Sequence, residues 1–211
     1  MATTAPAPDV KRARALRSAD ATEVIVAALG RCDELSFRDA ALIAVGRDAM
    51  LRAGELAGLR WRDVEWLPGA GAGALLSLGA TKGDRQARSR YRPAVGAYGG
   101  ELLEVWRDLQ GLGDAGARCF GLASTSTVGR RVRTLCLDAG IGDGFSGHSL
   151  RRGAAHDLAA SGADPYELRH RGRWRSFDTV LRYIDELGGP AGAPAVLDLR
   201  PTPAATNGAG P

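Results

Sequence analysis

Apolar residues recur along most of this chain at spacings of three and four, the period of a helix buried on one face. Over 20–30, Val24, Ile25, Ala28 and Leu29 share a side, with Ser18 or Asp20 as N-cap. Over 37–51, Phe37, Ala41, Ala44, Val45 and Leu51 do the same, with Ser36 as cap and Asp39 in the capping-box position. Short helical turns follow over 53–59 and 61–66. Between 70 and 95 the period changes. Leu75, Leu76 and Leu78 form a short strand, and Lys82-Gly83-Asp84 is a turn signal. A second strand over 89–94 alternates, with Arg88, Arg90 and Arg92 on one face and Ser89 and Tyr91 on the other. Helical spacing returns over 100–110, 125–139, 148–161, 165–172 and 176–185, with Pro165 in the first turn after Asp164. The pattern predicts a mainly α domain with a small antiparallel β-sheet, an α+β class, without internal repeats.

The ends read differently. Residues 1–19 are Ala, Thr and Pro followed by Lys11, Arg12, Arg14 and Arg17, the texture of an extended basic arm. Residues 188–211 hold five glycines and five prolines, which rules out a regular helix. One folded domain over 20–187 remains. No apolar run approaches the roughly 18 residues of a membrane span, and no signal-peptide pattern opens the chain. Cys32, Cys119 and Cys136 are too far apart for a zinc site or a disulfide framework. A reducing, cytoplasmic setting without a metal or cofactor follows. The net charge is only +4, but lysine occurs just at Lys11 and Lys82, so arginine supplies 26 of the 28 cations. Arginine grips phosphate with a planar fork, which points to nucleic acid; a genomic bias towards Ala, Gly and Arg codons accounts for the same excess.

Four segments could carry chemistry. In His148-Ser149-Leu150-Arg151-Arg152, His148 and Arg151 share a face at a helix start, where unpaired amides attract an anion. Arg52 and Glu55 lie three apart in a short helix. Lys82 stands in the hairpin turn, and lysine can give up a proton where arginine cannot. Trp174 and Tyr183 lie nine residues apart. Each has a plainer alternative: an exposed His–Arg pair, a solvated ion pair, a solvent-facing turn lysine and two core aromatics. Gly69 to Gly73 lacks the Lys-Ser or Lys-Thr of a phosphate loop. His156 and His170 have no ligand partners at metal spacing and read as structural or DNA-facing.

Taken in order, Arg52 with Glu55, Lys82, His148-x-x-Arg151, Trp174 and Tyr183 resemble the catalytic domain of the tyrosine recombinases, the phage-integrase family. The segments around them are similar to that family's two arginine boxes, Leu51 to Val64 and His148 to Arg152, and to its nucleophile segment, Trp174 to Tyr183. The resemblance implies site-specific DNA cleavage and rejoining through a 3′-phosphotyrosyl intermediate, independent of metal and ATP. Tyr183 would be the nucleophile. Arg52 and Arg151 would hold the phosphate and Lys82 would protonate the leaving oxygen. His148 would bind a phosphate oxygen or take the tyrosine proton, and Trp174 would donate its indole N–H. Glu55 would orient its neighbours. Arg88, Arg90, Arg92, Arg130, Arg131, Arg173 and Arg175 are read as DNA contacts. The implied partners are double-stranded DNA, further copies forming a tetramer on it, and possibly a partner recombinase chain, in a nucleoid-associated location without membrane. Two rivals are a truncated relative that binds without cutting and a type IB topoisomerase-like relaxation of one duplex.

The chain departs from that pattern in three ways. Met50 stands where the family usually has glycine, and Trp174 where many relatives have histidine. A separate N-terminal core-binding domain is not expected, because only about 19 residues precede the first helix. The tail is too rich in proline for the helix that relatives lend to a neighbour.

Overall fold

The computed structural model describes residues 13–69, 72–79, 92–111 and 114–187. Among the described residues there are eight α-helices and a three-stranded sheet, so the fold is mainly α with a small antiparallel sheet.

Helix α1 (Ser18–Gly30) buries Ala21, Val24, Ile25 and Ala28, the periodic face read from the sequence. It starts two residues earlier than 20, and neither Ser18 nor Asp20 caps it; Arg17 is the N-cap, without a side-chain cap bond. Helix α2 (Ser36–Asp48) is the centre of the domain. Every residue from Ala40 to Gly46 is buried, so it is enclosed on all sides. Its start is set by Asp33 and Ser36: the Leu35 N–H donates to Asp33 Oδ1 at 2.9 Å and the Asp33 N–H to Ser36 Oγ at 3.0 Å. Asp39 closes no capping box. It is fully buried and accepts from Arg31, Arg38 and Arg131. The helix stops at Asp48 rather than 51, because Met50 takes a left-handed φ of +48° and turns the chain.

Helix α3 (Ala53–Gly58) follows. Only Trp61–Asp63 then forms a 3₁₀ turn, and the helical turn expected over 61–66 gives way to strand β1 (Val64–Trp66). β1 pairs antiparallel with β2 (Ala74–Leu76), which pairs with β3 (Ala94–Val95). The strand expected over 89–94 meets the described sheet only at its last residue; Lys82, Arg88 and Arg90 lie outside the described residues. Helix α4 (Ala97–Leu109) starts earlier than 100, where the carboxylate of Asp48 accepts from the Gly96 N–H at 3.0 Å.

Three further helices carry side-chain or proline start signals. Ser124 caps α5 (Thr125–Asp138), Ser146 caps α6 (Gly147–Ala160), and Asp164 with Pro165 opens α7 (Pro165–Gly172). Helix α8 (Phe177–Leu187) ends the described chain. Two apolar clusters result. The larger joins α1, α2, α4, α5 and the sheet, and the smaller holds Met50, Ala155, Leu168, Val180 and Tyr183 between α6, α7 and α8.

The arm expected over 1–19 is docked from residue 13 onward. Leu16 is fully buried and donates its N–H to the Ser149 carbonyl at 3.0 Å. Arg14 donates to the carbonyls of Ile141 and Asp143 and lies over the Phe145 ring, 4.4 Å from its centroid. Two arginines of the expected extended arm, Arg14 and Arg17, therefore bond to the folded domain, Arg17 through Asp157.

Candidate active site

One cleft of about 690 Å³ opens where α3, α6 and the α7–α8 link meet, and Arg52, Glu55, His148, Arg151 and Trp174 line it. Local chemistry brings these elements together. Gly147 opens α6 so close to α3 that a Cβ there would stand 2.7 Å from the Ala53 Cβ. A larger residue would push His148 away from Arg52. Gly172 is likewise covered by the Trp174 indole, 2.0 Å from where its Cβ would be. The β2 exit (Ser77, Leu78, Gly79) lines the same cleft, shortly before Lys82 in sequence.

Arg151 is the most enclosed cation, 1% exposed. Its Nη1 donates to the Met50 carbonyl at 2.8 Å and its Nη2 to the Gly172 carbonyl, and its guanidinium lies 4.8 Å from the Trp174 ring centroid. Burial, together with Arg52 and Arg173 nearby, pulls its pKa down to about 9, still cationic at neutral pH. Arg52 is half-exposed to the cleft and pairs through Nη1 with Glu55 Oε1 at 2.8 Å. Burial alone would raise Glu55; Arg173 and Arg52 outweigh it and hold the carboxyl below its ordinary range. At the start of α6, His148 is held below the usual histidine value by desolvation and by Arg151, Arg152 and Arg52. It is a neutral imidazole at neutral pH.

Tyr183 does not line the cleft. It is 6% exposed and packs directly under Trp174, with ring centroids 5.1 Å apart. Burial raises its phenol above the ordinary tyrosine value, against the pull of Arg151 and Arg152. The edge of His156 meets the same ring at 5.6 Å. His156 Nε2 lies 2.9 Å from Glu186 Oε2, and Arg152 Nη2 donates to the same oxygen at 2.8 Å. This junction between α6 and α8 sits one turn beyond Tyr183. His156 is thus structural, one of the two readings open from the sequence.

The arginines read as DNA contacts divide. Arg130 and Arg175 are exposed. Arg92 donates to Glu65 at 2.5 Å on the surface. Arg131 is turned inward onto Asp39. Arg173 is 11% exposed, ion-paired with Glu55 at 2.7 Å, and so belongs to the interior of the site rather than its surface. Arg169 is engaged with the α7–α8 link, donating to the carbonyls of Trp174 and Arg175. The sequence reading missed that Arg173 shares Glu55 with Arg52, because no local pattern encodes a pair 118 residues apart.

Among the described residues no group of His, Cys, Asp or Glu gathers at metal-binding distance, and no helix is long and apolar enough to cross a membrane. Burial pushes the Cys136 thiol up to about 12 and raises Cys119 as well, which makes both unreactive at neutral pH.

A helical domain that gathers two arginines, a histidine and an indole over one cleft, with a tyrosine behind the indole, has the fold of tyrosine recombinase catalytic domains. The model of the phage integrase family matches residues 16–188, and the chain belongs to that family. It is 27% identical over 186 residues to recombinase cre of Escherichia phage P1, covering 77% of this chain and 53% of that protein. It is 33% identical over 138 residues to the tyrosine recombinase XerC of Xanthomonas axonopodis pv. citri (strain 306), covering 61% and 40%. The fold matches XerH site-specific recombinase bound to palindromic difH substrate, a post-cleavage complex, with a TM-score of 0.63, 17% identity, and 82% and 49% of the two chains covered. The chain spans about half the length of the curated relatives it matches.

Proposed function

We propose that this chain cuts and rejoins double-stranded DNA at specific sites through a covalent tyrosine–DNA intermediate. The observation that carries the reading is the convergence of Arg52, His148, Arg151 and Trp174 on one cleft with Tyr183 packed at a tilt beneath Trp174.

The chemistry balances on these groups. The Tyr183 phenol attacks the scissile phosphorus, forms a 3′-phosphotyrosyl bond and expels the 5′-oxygen of the next nucleotide. The bond energy is retained, so the 5′-hydroxyl of another strand can reverse the step without ATP. Negative charge grows on the non-bridging oxygens as the phosphorus becomes five-coordinate. Arg52 and Arg151, fixed by Glu55 and by backbone carbonyls, meet that charge with guanidinium groups, the role a metal ion has in other phosphoryl transfers. Neutral His148 can accept the tyrosine proton or bind a phosphate oxygen. The Trp174 indole N–H supplies one more donor. Lys82 is proposed as the general acid for the leaving oxygen. Because Tyr183 is buried, it must swing from beneath Trp174 to reach a phosphate in the cleft.

Exchanging strands between two duplexes requires four cleavages, so self-association into a tetramer on DNA, with or without a partner recombinase chain, belongs to the same proposal. A second reading, DNA binding without cleavage, is favoured by two features: Tyr183 is outside the cleft lining, and Arg151 directs one donor each from Nη1 and Nη2 to the Met50 and Gly172 carbonyls.

The test needs no knowledge of the target site. The protein is incubated with fragmented genomic DNA from its source, denatured in detergent and captured, and attached DNA is sequenced, with Tyr183→Phe in parallel. Adducts that share a sequence at their ends and vanish in Tyr183→Phe are expected. DNA binding with no adducts would replace the recombinase reading with the binding-only one.

A further inference from the structure

The residue between Gly172 and Trp174 has a backbone that disfavours a side chain. Arg173 closes α7 at φ +51°, in the left-handed region where glycine is the usual occupant. Met50 makes the turn between α2 and α3 at φ +48°. These two strained residues meet. Arg173 Nη2 donates to the Met50 carbonyl at 3.1 Å and Nη1 to the Ala49 carbonyl at 2.9 Å. The same Nη2 lies 2.7 Å from Glu55 Oε2, and the Arg173 carbonyl accepts from Arg52 Nη2 at 3.3 Å. Ending a helix requires none of this, since glycine would end it without strain.

The contacts divide one buried carboxylate between two cations. Glu55 Oε1 faces Arg52 Nη1 at 2.8 Å, while Oε2 accepts from the Arg52 backbone N–H at 2.7 Å and from Arg173. A second guanidinium draws part of the carboxylate's charge, so Glu55 can orient Arg52 without neutralising it. The Met50 carbonyl is shared in the same way, between Arg173 and Arg151 Nη1. Arg173 therefore touches the anchor of each phosphate-facing arginine, and it immediately precedes Trp174 in the chain.

We infer that Arg173 is a positioning residue that locks Arg52 and Arg151 into one block and holds the Arg52 guanidinium towards the phosphate; the inference rests on the recombinase reading. Arg173 is not a DNA contact.

Two variants test this in the full chain, on a duplex carrying the site recovered from the adducts. Arg173→Gly removes the side chain and the strain together. Arg173→Lys keeps the charge but loses the planar fork. Single-turnover cleavage at saturating DNA should fall about 10²-fold in Arg173→Gly, the loss expected when a reacting group sits ~1 Å out of place. In Arg173→Lys it should stay at least about tenfold slow, because an ammonium cannot serve two carbonyls and a carboxylate in one plane. The duplex Kd should change by less than about twofold in both, as for an interaction realised only in the transition state. Cleavage at the wild-type rate in Arg173→Gly would overturn the inference. So would a Kd that weakens in step with the rate and a salt slope reduced by about one, the signature of a phosphate contact. If the wild-type chain forms no adduct, the recombinase reading fails on its own. The lock is then read by NMR from the rotation of the Arg52 guanidinium, which should speed up in Arg173→Gly; an unchanged rate would overturn it.

Discussion

At Met50 two opposed energies act on one residue. A non-glycine residue in the left-handed region costs on the order of 1 kcal/mol or more. Its side chain, however, is 3% exposed and fills the small cluster around Tyr183. Emptying a buried methionine costs about 2–5 kcal/mol. Burial therefore exceeds strain, and Met50→Gly should lose about 1–3 kcal/mol in a urea melt despite relieving the backbone. A stabilised variant would mean that the side chain packs poorly. Asp39 is the second residue with a decided sign. Burial pushes its pKa up, but hydrogen bonds and charge from Arg131 and Arg38 push further down, so the folded pKa lies below the unfolded one. Its contribution is therefore complete at neutral pH, above the unfolded value, and is lost as pH falls through the folded value, below about 4. Asp39→Asn leaves three partly buried arginines facing a neutral amide and should cost about 1–3 kcal/mol at neutral pH. It should also flatten the acid limb of stability against pH, measured by urea melts from neutral pH into that window.

At the scale of elements, helix α8 combines apolar and polar anchors. It meets the body through Val180 and Tyr183, through Phe177 against the Tyr166 ring at 4.9 Å, and through the Arg152–Glu186–His156 junction. Glu186→Gln weakens both bonds of that junction, so the α8 amides should exchange hydrogen faster while those of α2 keep their protection. Equal protection of α8 in both proteins would show that the apolar contacts alone hold it. Which elements could be read from the sequence follows from their physics. α5, α6 and α7 carry cap residues or a first-turn proline beside a periodic face, so their bounds fall within a residue of the pattern. α2 is buried all round, so its apolar run continues past the true end and only the backbone at Met50 stops it. β1 is three residues long, too short to alternate visibly, and its partner strand β2 is equally short. The site divides likewise: residue types and order exposed Arg52, His148, Arg151, Trp174 and Tyr183, whereas the Arg131–Asp39 and Arg173–Glu55 pairs exist only once the chain has folded.

For the whole molecule, an excess of arginine does not equal a DNA-binding surface. The net charge is +4, and several arginines spend their forks on carboxylates and carbonyls inside the fold, among them Arg47, Arg131 and Arg173. Only exposed cations can release counterions from a duplex. Arg175→Ala should therefore reduce the slope of log K against log salt by about one, while Arg131→Ala should lower stability and leave the slope unchanged. The reverse pattern would exchange the roles given to these two side chains.

Tyr183 is proposed to become joined to DNA through a 3′-phosphate, and that bond can be measured. Adducts trapped in detergent are digested with nuclease and protease and examined by mass spectrometry. The expected product is a nucleotide carried by the peptide that contains Tyr183, linked through its 3′-phosphate, with a 5′-hydroxyl on the released strand. A nucleotide on any other residue, or a 5′-phosphate linkage, would contradict it.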